Sequence, residues 1–168
     1  VLPHHVWRLS PSLWRSLGCI TDIEHLKADI YHGLSGELPY GIHRLPIKTI
    51  VTIHDAIFMR YPDNYSATYR RLFYHKCRYA CQVADTIIAI SEQTKRDCIE
   101  FFKADEKKIR VVYQGCNDSF RHTVDTQQQL TIRQRYNLPD KYILYVGAIE
   151  PNKNIENLIR AMKIAQTP

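Results

Sequence analysis

Several patterns that define common protein classes are missing from this chain. It contains no G-x-G-x-x-G and no G-x-x-x-x-G-K-[ST] sequence, which argues against dinucleotide and P-loop sites. It has no close CxxC pairs, which argues against a zinc ribbon. Uncharged apolar runs such as residues 86–90 are too short to cross a bilayer. Residues 1–9 show neither a signal-peptide pattern nor an initiator Met, so we expect a soluble segment of a longer protein.

The composition is that of an ordinary globular protein. The 168 residues are 45% hydrophobic and 24% charged, enough for one domain or for one domain with part of a second. The net charge of +6 favours anionic partners such as phosphates, nucleic acid or an acidic membrane surface. The basic pairs at 70–71, 95–96 and 107–108 fall on predicted helix exteriors, which is typical of solvated faces. We therefore predict no nucleic-acid partner.

The cysteines indicate a reducing compartment. There are five of them, an odd number, which fits a cytoplasmic protein better than a disulfide framework. Cys77 and Cys81 are four residues apart and share one face of a predicted helix. A metal pair is conceivable there, but buried thiols are the favoured interpretation.

Short β-branched runs alternate with helical periods along most of the chain. The strand-length runs are residues 29–32, 47–54, 86–90, 109–113 and 142–146. The helical patterns are 66–84, which carries one apolar stripe at three- and four-residue intervals, 91–102, with Ser91 as its predicted N-cap, and 154–165. The runs lack polar alternation, as expected of parallel strands covered on both faces. This order predicts an α/β fold with an open doubly wound parallel sheet, Rossmann-like. Residues 121–140 are more polar and are predicted to connect two domains.

Two polar residues follow the second strand directly. His54 and Asp55 stand at its predicted carboxyl end, where ligands enter open α/β sheets. The histidine suits a contact to a sugar hydroxyl or phosphate, and Asp55 suits either a tautomer-fixing or a backbone-capping role. A turn pair that only satisfies backbone groups is an equally good interpretation.

Two loops are further candidates for ligand contact. Gly147 and Lys153 lie between a predicted strand and a predicted helix, where a backbone without Cβ and an ammonium group suit a diphosphate. An ordinary turn with a solvated lysine is the alternative. Gly33, Ser35 and Gly36 follow the first strand and either line an acceptor pocket or form an irregular surface loop.

Four stretches in one order resemble a known family. They are TIHD at 52–55, ADTIIAISEQTKRDCIEFF at 84–102, KKIRVVYQGCNDSF at 107–120 and YILYVGAIEPNKNIENLIRAM at 142–162. Together they resemble the retaining group-1 glycosyltransferases of the GT-B fold, in which two Rossmann-like domains face a cleft.

The resemblance implies domain limits and roles for individual residues. Residues 1–120 correspond to the acceptor-side N-terminal domain, without its first strand, 121–140 to the linker, and 141–168 to the start of the nucleotide-sugar-binding domain. His54 matches the histidine that approaches the transferred sugar, with Asp55 beside it in the catalytic pair. Gly147 and Lys153 match the loop that contacts the donor diphosphate, and Asn152 stands where family members commonly carry an arginine.

The predicted function follows from that resemblance. The parent protein is expected to transfer a sugar, with retention, from a nucleotide-sugar donor to a glycan or lipid-linked acceptor, with no cofactor and no metal. It is expected in the cytoplasm, with its basic helix faces in peripheral contact with the inner face of the membrane. The segment alone is expected to be inactive and to form homo-oligomers through residues 142–165. A non-catalytic Rossmann-like binding or interaction domain is the alternative. An epimerase is disfavoured, because no Tyr-x-x-x-Lys pair follows a dinucleotide fingerprint.

Overall fold

The computed structural model describes residues 10–165, so residues 1–9, which the signal-peptide prediction concerns, lie outside the described residues. The chain divides into two units, one up to Gln114 and one from Gly115. The domain limits predicted from the sequence, 1–120, 121–140 and 141–168, stay a prediction. Within residues 10–165, no helix combines the length and the apolar character that a membrane span requires.

A four-stranded parallel sheet forms the centre of the first unit. Its strands are β1 (Ile30–Gly33), β2 (Lys48–Ile53), β3 (Thr86–Ala89) and β4 (Ile109–Val111), and they lie side by side in that order. The order corresponds to one half of a doubly wound sheet. Because all pairs are parallel, the carboxyl ends of the four strands meet at one edge. The predicted Rossmann-like α/β class with a parallel sheet is confirmed.

Helices cover this sheet and connect its strands. They are α1 (Pro11–Leu13), which continues through a π-helical turn at Trp14–Gly18 into α2 (Cys19–Leu26), then α3 (Ile57–Arg60), α4 (Ala67–Val83) and α5 (Glu92–Phe102). Short 3-10 turns occupy Ile42–Arg44, Pro62–Asn64 and Glu106–Lys108. The side chains of Ser66 and Ser91 cap α4 and α5, each accepting a hydrogen bond from the backbone N–H three residues later. The predicted cap at Ser91 is confirmed.

The core of the first unit lies between the sheet and its helices. Val51, Ile87 and Phe102 are fully buried, and α4 contributes Cys77, Ala80 and Cys81 from its predicted apolar stripe. The same stripe reaches the surface at its start, where Leu72 is 52% exposed. The prediction of core thiols at Cys77 and Cys81 is confirmed, and burial raises the pKa of Cys77 to about 12. Among the described residues, no group of three His, Cys, Asp or Glu side chains is arranged to hold a metal.

The second unit contains two helices and, in its described part, neither a strand nor a buried residue. Its helices are α6 (Thr126–Arg135) and α7 (Ile155–Ala165), with 3-10 turns at Asp118–Arg121 and Pro151–Lys153. The predicted helix at 154–165 is confirmed. The predicted strand at 142–146 is wrong for this structure. No neighbouring strand of the described part of this unit supplies backbone hydrogen bonds to the run, and its side chains are exposed, with Val146 at 84%.

Candidate functional site

The polar residues of the first unit gather where its strands end. β1 leads into the loop that begins at Leu34, β2 into His54 and Asp55, β3 into the Ser91 cap of α5, and β4 into Gln114. Parallel pairing brings these four connections to the same edge of the sheet. The edge is therefore the candidate site of this unit, as the position of His54 predicts.

His54 is held by three different elements. Its Nε2 lies 2.8 Å from the carbonyl oxygen of Leu34, and the Gln114 side-chain Nε2 lies 3.3 Å from its Nδ1. Its backbone carbonyl accepts a hydrogen bond of 3.1 Å from Thr94 Oγ1 at the start of α5. The His54 side chain is nevertheless exposed, so a ligand can reach a ring whose position is already fixed.

Asp55 has a different partner from the one that a tautomer-fixing role requires. Its Oδ1 accepts a hydrogen bond of 3.1 Å from the backbone N–H of Ile57, the first residue of α3. Of the two roles considered from the sequence, the structure has the backbone cap. The contact fixes the turn that immediately follows His54.

Two positions in the loop that follows β1 require glycine, one because a Cβ would clash and one because of its positive φ. A Cβ on Gly33 would lie 2.2 Å from the backbone oxygen of Glu37, so no side chain fits there. Gly36 has φ +72°, and its N–H donates to the carbonyl of Thr52 on β2 at 2.9 Å. Ser35, between them, is exposed. The loop is therefore folded back against β2, which presents Ser35 to solvent.

An ion-pair network fixes the far end of this loop. Glu37 accepts hydrogen bonds from Lys76 at 2.6 Å and from Arg15 at 3.1 Å. Burial raises the pKa of the Glu37 carboxyl, but the hydrogen bonds and charges of Lys76 and Arg15 outweigh that effect, and its pKa lies below the ordinary value. A cavity of about 400 Å³ beside the network is lined by Arg15, Tyr31, His32, Gly33, Leu34, Ser35, Glu37 and Pro39.

A second cavity lies beside His54. It measures about 390 Å³ and is lined by His54, Asp55, Ile57, Arg60, Tyr61, Ser91, Gln93, Thr94 and Asp97. Asp97 is only 5% exposed and accepts hydrogen bonds from Arg60 at 3.1 Å and from Gln93 at 2.7 Å. This satisfied, buried carboxylate holds α3 to α5 and keeps the cavity walls in place.

Sequence reasoning missed the residues that hold His54. Leu34 contributes only a backbone oxygen, which no residue pattern reveals, and Thr94 lies in the first turn of α5. Gln114 stands three residues after β4, at a strand end like His54 itself. Its polar side chain at the carboxyl end of a predicted strand is the signal that could have identified it.

The predicted diphosphate residues lie in the second unit. Gly147 precedes Ala148, whose carbonyl accepts a hydrogen bond of 2.9 Å from the Tyr145 hydroxyl, and a Cβ on Gly147 would lie 2.7 Å from that hydroxyl. Lys153 is exposed at the end of the 3-10 turn that leads into α7. Asn152 lies in the same turn, and its Oδ1 is buried without a hydrogen-bond partner. The loop therefore places an exposed ammonium group just before a helix start.

The cavity next to this loop does not itself suit an anion. It measures about 360 Å³ and is lined by Ile149, Glu150, Pro151, Asn154, Ile155 and Glu156. Its two carboxylates would repel a diphosphate. Lys153, rather than this cavity, is the feature of the unit that suits a phosphate contact.

Comparison with known proteins gives one family and several relatives. The sequence model of Glycosyltransferase Family 4 matches residues 1–120. The serotype-specific mannosyltransferase WbdA of Escherichia coli is 28% identical over 123 residues, which are 71% of this chain and 15% of that protein. The O-antigen chain mannosyltransferase B of Escherichia coli is 25% identical over 136 residues, 80% of this chain and 34% of that protein.

A glycosyltransferase is also among the solved structures that match this chain. The crystal structure of a glycosyltransferase from Rickettsia africae ESF-5 has a TM-score of 0.47 and 18% identity, covering 73% of this chain and 31% of that one. The chain thus spans about a third or less of the length of each of these three proteins.

Proposed function

Because this chain belongs to glycosyltransferase family 4, we propose that the whole protein transfers a sugar from a nucleotide-sugar donor to a glycan or lipid-linked acceptor with retention of the anomeric configuration. The observation that carries this proposal is His54, an exposed imidazole at the carboxyl end of β2 that three elements hold in place. The names of the two Escherichia coli relatives make mannose the first sugar to test.

The residues of the first unit serve the sugar side of this reaction. His54 contacts the transferred sugar, and Asp55 fixes the turn after it through the Ile57 backbone. Gly33, Ser35 and Gly36 form the acceptor-side loop, in which Ser35 offers a hydroxyl to the acceptor and the glycines let the loop fold back. Holding the acceptor in line with the donor is a large part of what such an enzyme contributes.

The residues of the second unit serve the leaving group. Sugar transfer releases a nucleoside diphosphate, so the transition state gains negative charge on the diphosphate oxygens. The Lys153 ammonium stabilises that charge, Gly147 lets the backbone approach it, and Asn152 supplies a neutral amide. The reaction as proposed uses the nucleotide sugar as a co-substrate and needs neither a cofactor nor a metal.

The experiment is a transfer assay on the whole protein with nucleoside-diphosphate hexoses, GDP-mannose first. His54→Ala is expected to lower kcat/KM at least about tenfold, because a hydrogen bond to the sugar is lost. His75→Ala is the control, since His75 is an exposed histidine on α4. Unchanged turnover in His54→Ala would remove His54 from the site, and an inverted product anomer by NMR would refute retention.

The same assay distinguishes the proposed transferase from the alternative function. A non-catalytic binding or interaction domain predicts no transfer and no saturable binding of nucleoside diphosphates by the whole protein. The 168-residue chain alone is expected to give no turnover, because its second unit has no sheet in the described residues to shape a donor pocket. Sugar transfer by the chain alone would overturn that expectation.

A further inference from the structure

We propose that Gln114 is a positioning residue for His54, and that the Gln114 carboxamide and His54 Nδ1 together bind one hydroxyl of the transferred sugar. The inference rests on the proposed function for the identity of the ligand. The tautomer of the His54 ring is inferred independently, from its hydrogen bonds. Gln114 follows β4, so the proposal adds the last strand of the sheet to the site of the first unit, where the sequence predicts site residues only after β1 and β2.

The two partners of the ring specify the same tautomer. A carbonyl oxygen only accepts hydrogen bonds, so the 2.8 Å contact to Leu34 requires the proton on Nε2 of His54. In the neutral ring Nδ1 then carries a lone pair, and the amide nitrogen of Gln114 at 3.3 Å donates to it. The opposite amide orientation would set an oxygen against that lone pair. Leu34 therefore sets the proton on Nε2, and the amide nitrogen of Gln114 fits the lone pair that this tautomer leaves on Nδ1.

The anchor on the Leu34 side is rigid. The loop that carries Leu34 is tied to β2 by the Gly36–Thr52 hydrogen bond of 2.9 Å, and its entry leaves no room for a side chain at Gly33. The backbone of His54 is tied to α5 through the buried Thr94. A ring held at Nε2 and at its backbone keeps Nδ1 in one direction.

The Gln114 side of the ring is open to a ligand. Gln114 and His54 are both exposed, and their contact is at the long end of the hydrogen-bond range. The Nδ1 lone pair accepts one hydrogen bond at a time, so a ligand that replaces the contact with Gln114 meets an acceptor, Nδ1, beside a donor, the amide N–H. A hydroxyl group both donates and accepts, so it replaces that contact with two hydrogen bonds, whereas a methylene in its place offers none. In a nucleotide sugar both the ribose and the transferred sugar carry hydroxyls, and the contact of His54 with the transferred sugar under the proposed function selects the latter.

The tautomer of the His54 ring is tested without any sugar, by long-range ¹H–¹⁵N NMR on the 168-residue chain. The signals of His54 are assigned by their loss in His54→Ala. The wild type is expected to show the Nε2–H tautomer. Gln114→Ala is expected to raise the Nδ1–H fraction, and Gln114→Glu, of equal size, to raise it further because a carboxylate accepts from Nδ1–H. Gln82→Ala, exposed on α4, is the control. An Nδ1–H ring in the wild type, or identical ring signals in all Gln114 variants, would overturn the positioning role.

The ligand is tested by transfer kinetics on the whole protein with a set of monodeoxy donor sugars. The wild type is expected to discriminate against one deoxy position, and Gln114→Ala to lose about tenfold in kcat/KM for the complete sugar and little for that analogue. Equal losses for every donor would overturn hydroxyl recognition by the pair. If the wild type transfers no sugar, the proposed function fails and the hydroxyl assignment with it, while the NMR result still decides the positioning role.

Discussion

The unit up to Gln114 and the unit from Gly115 differ most in what their apolar residues contact. In the first, Val51 on β2 is flanked by β1 and β3 and is fully buried. In the second, Leu144 and Val146 belong to an equally apolar run, yet they are 73% and 84% exposed. An apolar, β-branched run becomes a strand when neighbouring strands satisfy its backbone and cover its side chains.

The difference extends to the candidate site residues. His54 is fixed by contacts from residues 20, 40 and 60 positions away in the sequence. Lys153 and Gly147 are shaped by contacts within a few residues, such as the Tyr145–Ala148 hydrogen bond. The first unit therefore positions its side chains by tertiary packing, and the second by local turns.

The largest difference between the units is expected in stability, on removal of a side chain from the core of the first unit. Phe102 is fully buried at the end of α5 and lies against Phe58 at 6.2 Å between ring centroids. Phe102→Ala leaves a cavity, and we expect the free energy of unfolding to fall by about 3–5 kcal/mol in urea denaturation followed by circular dichroism. A loss below about 1 kcal/mol would show that the packing around Phe102 adapts freely.

The next-largest effect is expected on turnover. It tests whether the second unit, whose described part has no buried residue, contributes to sugar transfer. Lys153→Ala is expected to lower kcat of the whole protein by about 10²-fold, because the charge that we propose to stabilise the leaving diphosphate is lost. The unfolding free energy of the variant should stay within about 0.5 kcal/mol of the wild type, since Lys153 is exposed.

Lys163→Ala, exposed in the last turn of α7, is the matched control for charge. If both lysine variants reduce transfer equally, the effect is one of net charge, and Lys153 has no special place at the diphosphate.

A smaller effect is expected from pH, and only in the first unit. The folded-state pKa of Glu37 lies below its ordinary value of 4.5. Its carboxylate therefore stabilises the fold fully above about pH 4.5, and the contribution is lost as pH falls through the lower folded-state value. Stability measured by urea denaturation should fall on acidification of the wild type, and less steeply in Glu37→Gln.

The Glu37→Gln variant should also be less stable than the wild type at neutral pH, because Lys76, which is only 13% exposed, loses its charged partner. Parallel pH profiles for the two proteins would mean that Glu37 does not link protonation to folding.

The smallest effect is expected at the most exposed apolar residue of the second unit. Ile149 is 90% exposed, so Ile149→Ala removes almost no packing and should change the unfolding free energy by less than about 0.5 kcal/mol. A loss of several kcal/mol in the same denaturation assay would mean that Ile149 is buried in solution, and the contrast between the units would not hold.

The sequence predicts well those elements that depend on local patterns. β2 and β3 follow from short β-branched runs, α4 from its three- and four-residue apolar spacing, and the start of α5 from the capping serine at position 91. The burial of Cys77 and Cys81 follows from the same spacing. Each of these signals lies within a few residues, so neighbours in the sequence suffice to determine it.

Other outcomes depend on residues that are distant in the sequence. Whether residues 142–146 form a strand depends on neighbouring strands, and the partner of Asp55 depends on how the chain turns into α3. The position of His54 could be predicted from the end of β2, whereas its contacts with Leu34 and Gln114 could not.

By itself, then, the sequence determined the parallel α/β class, the Ser91 cap and the place of His54 at a strand end. Only the tertiary structure decided which apolar run is paired and which backbone oxygen faces the imidazole. The physical reason is that periodicity and capping use hydrogen bonds and burial within one element. A strand ladder, and a hydrogen bond to the carbonyl of another loop, instead require two elements to meet in space.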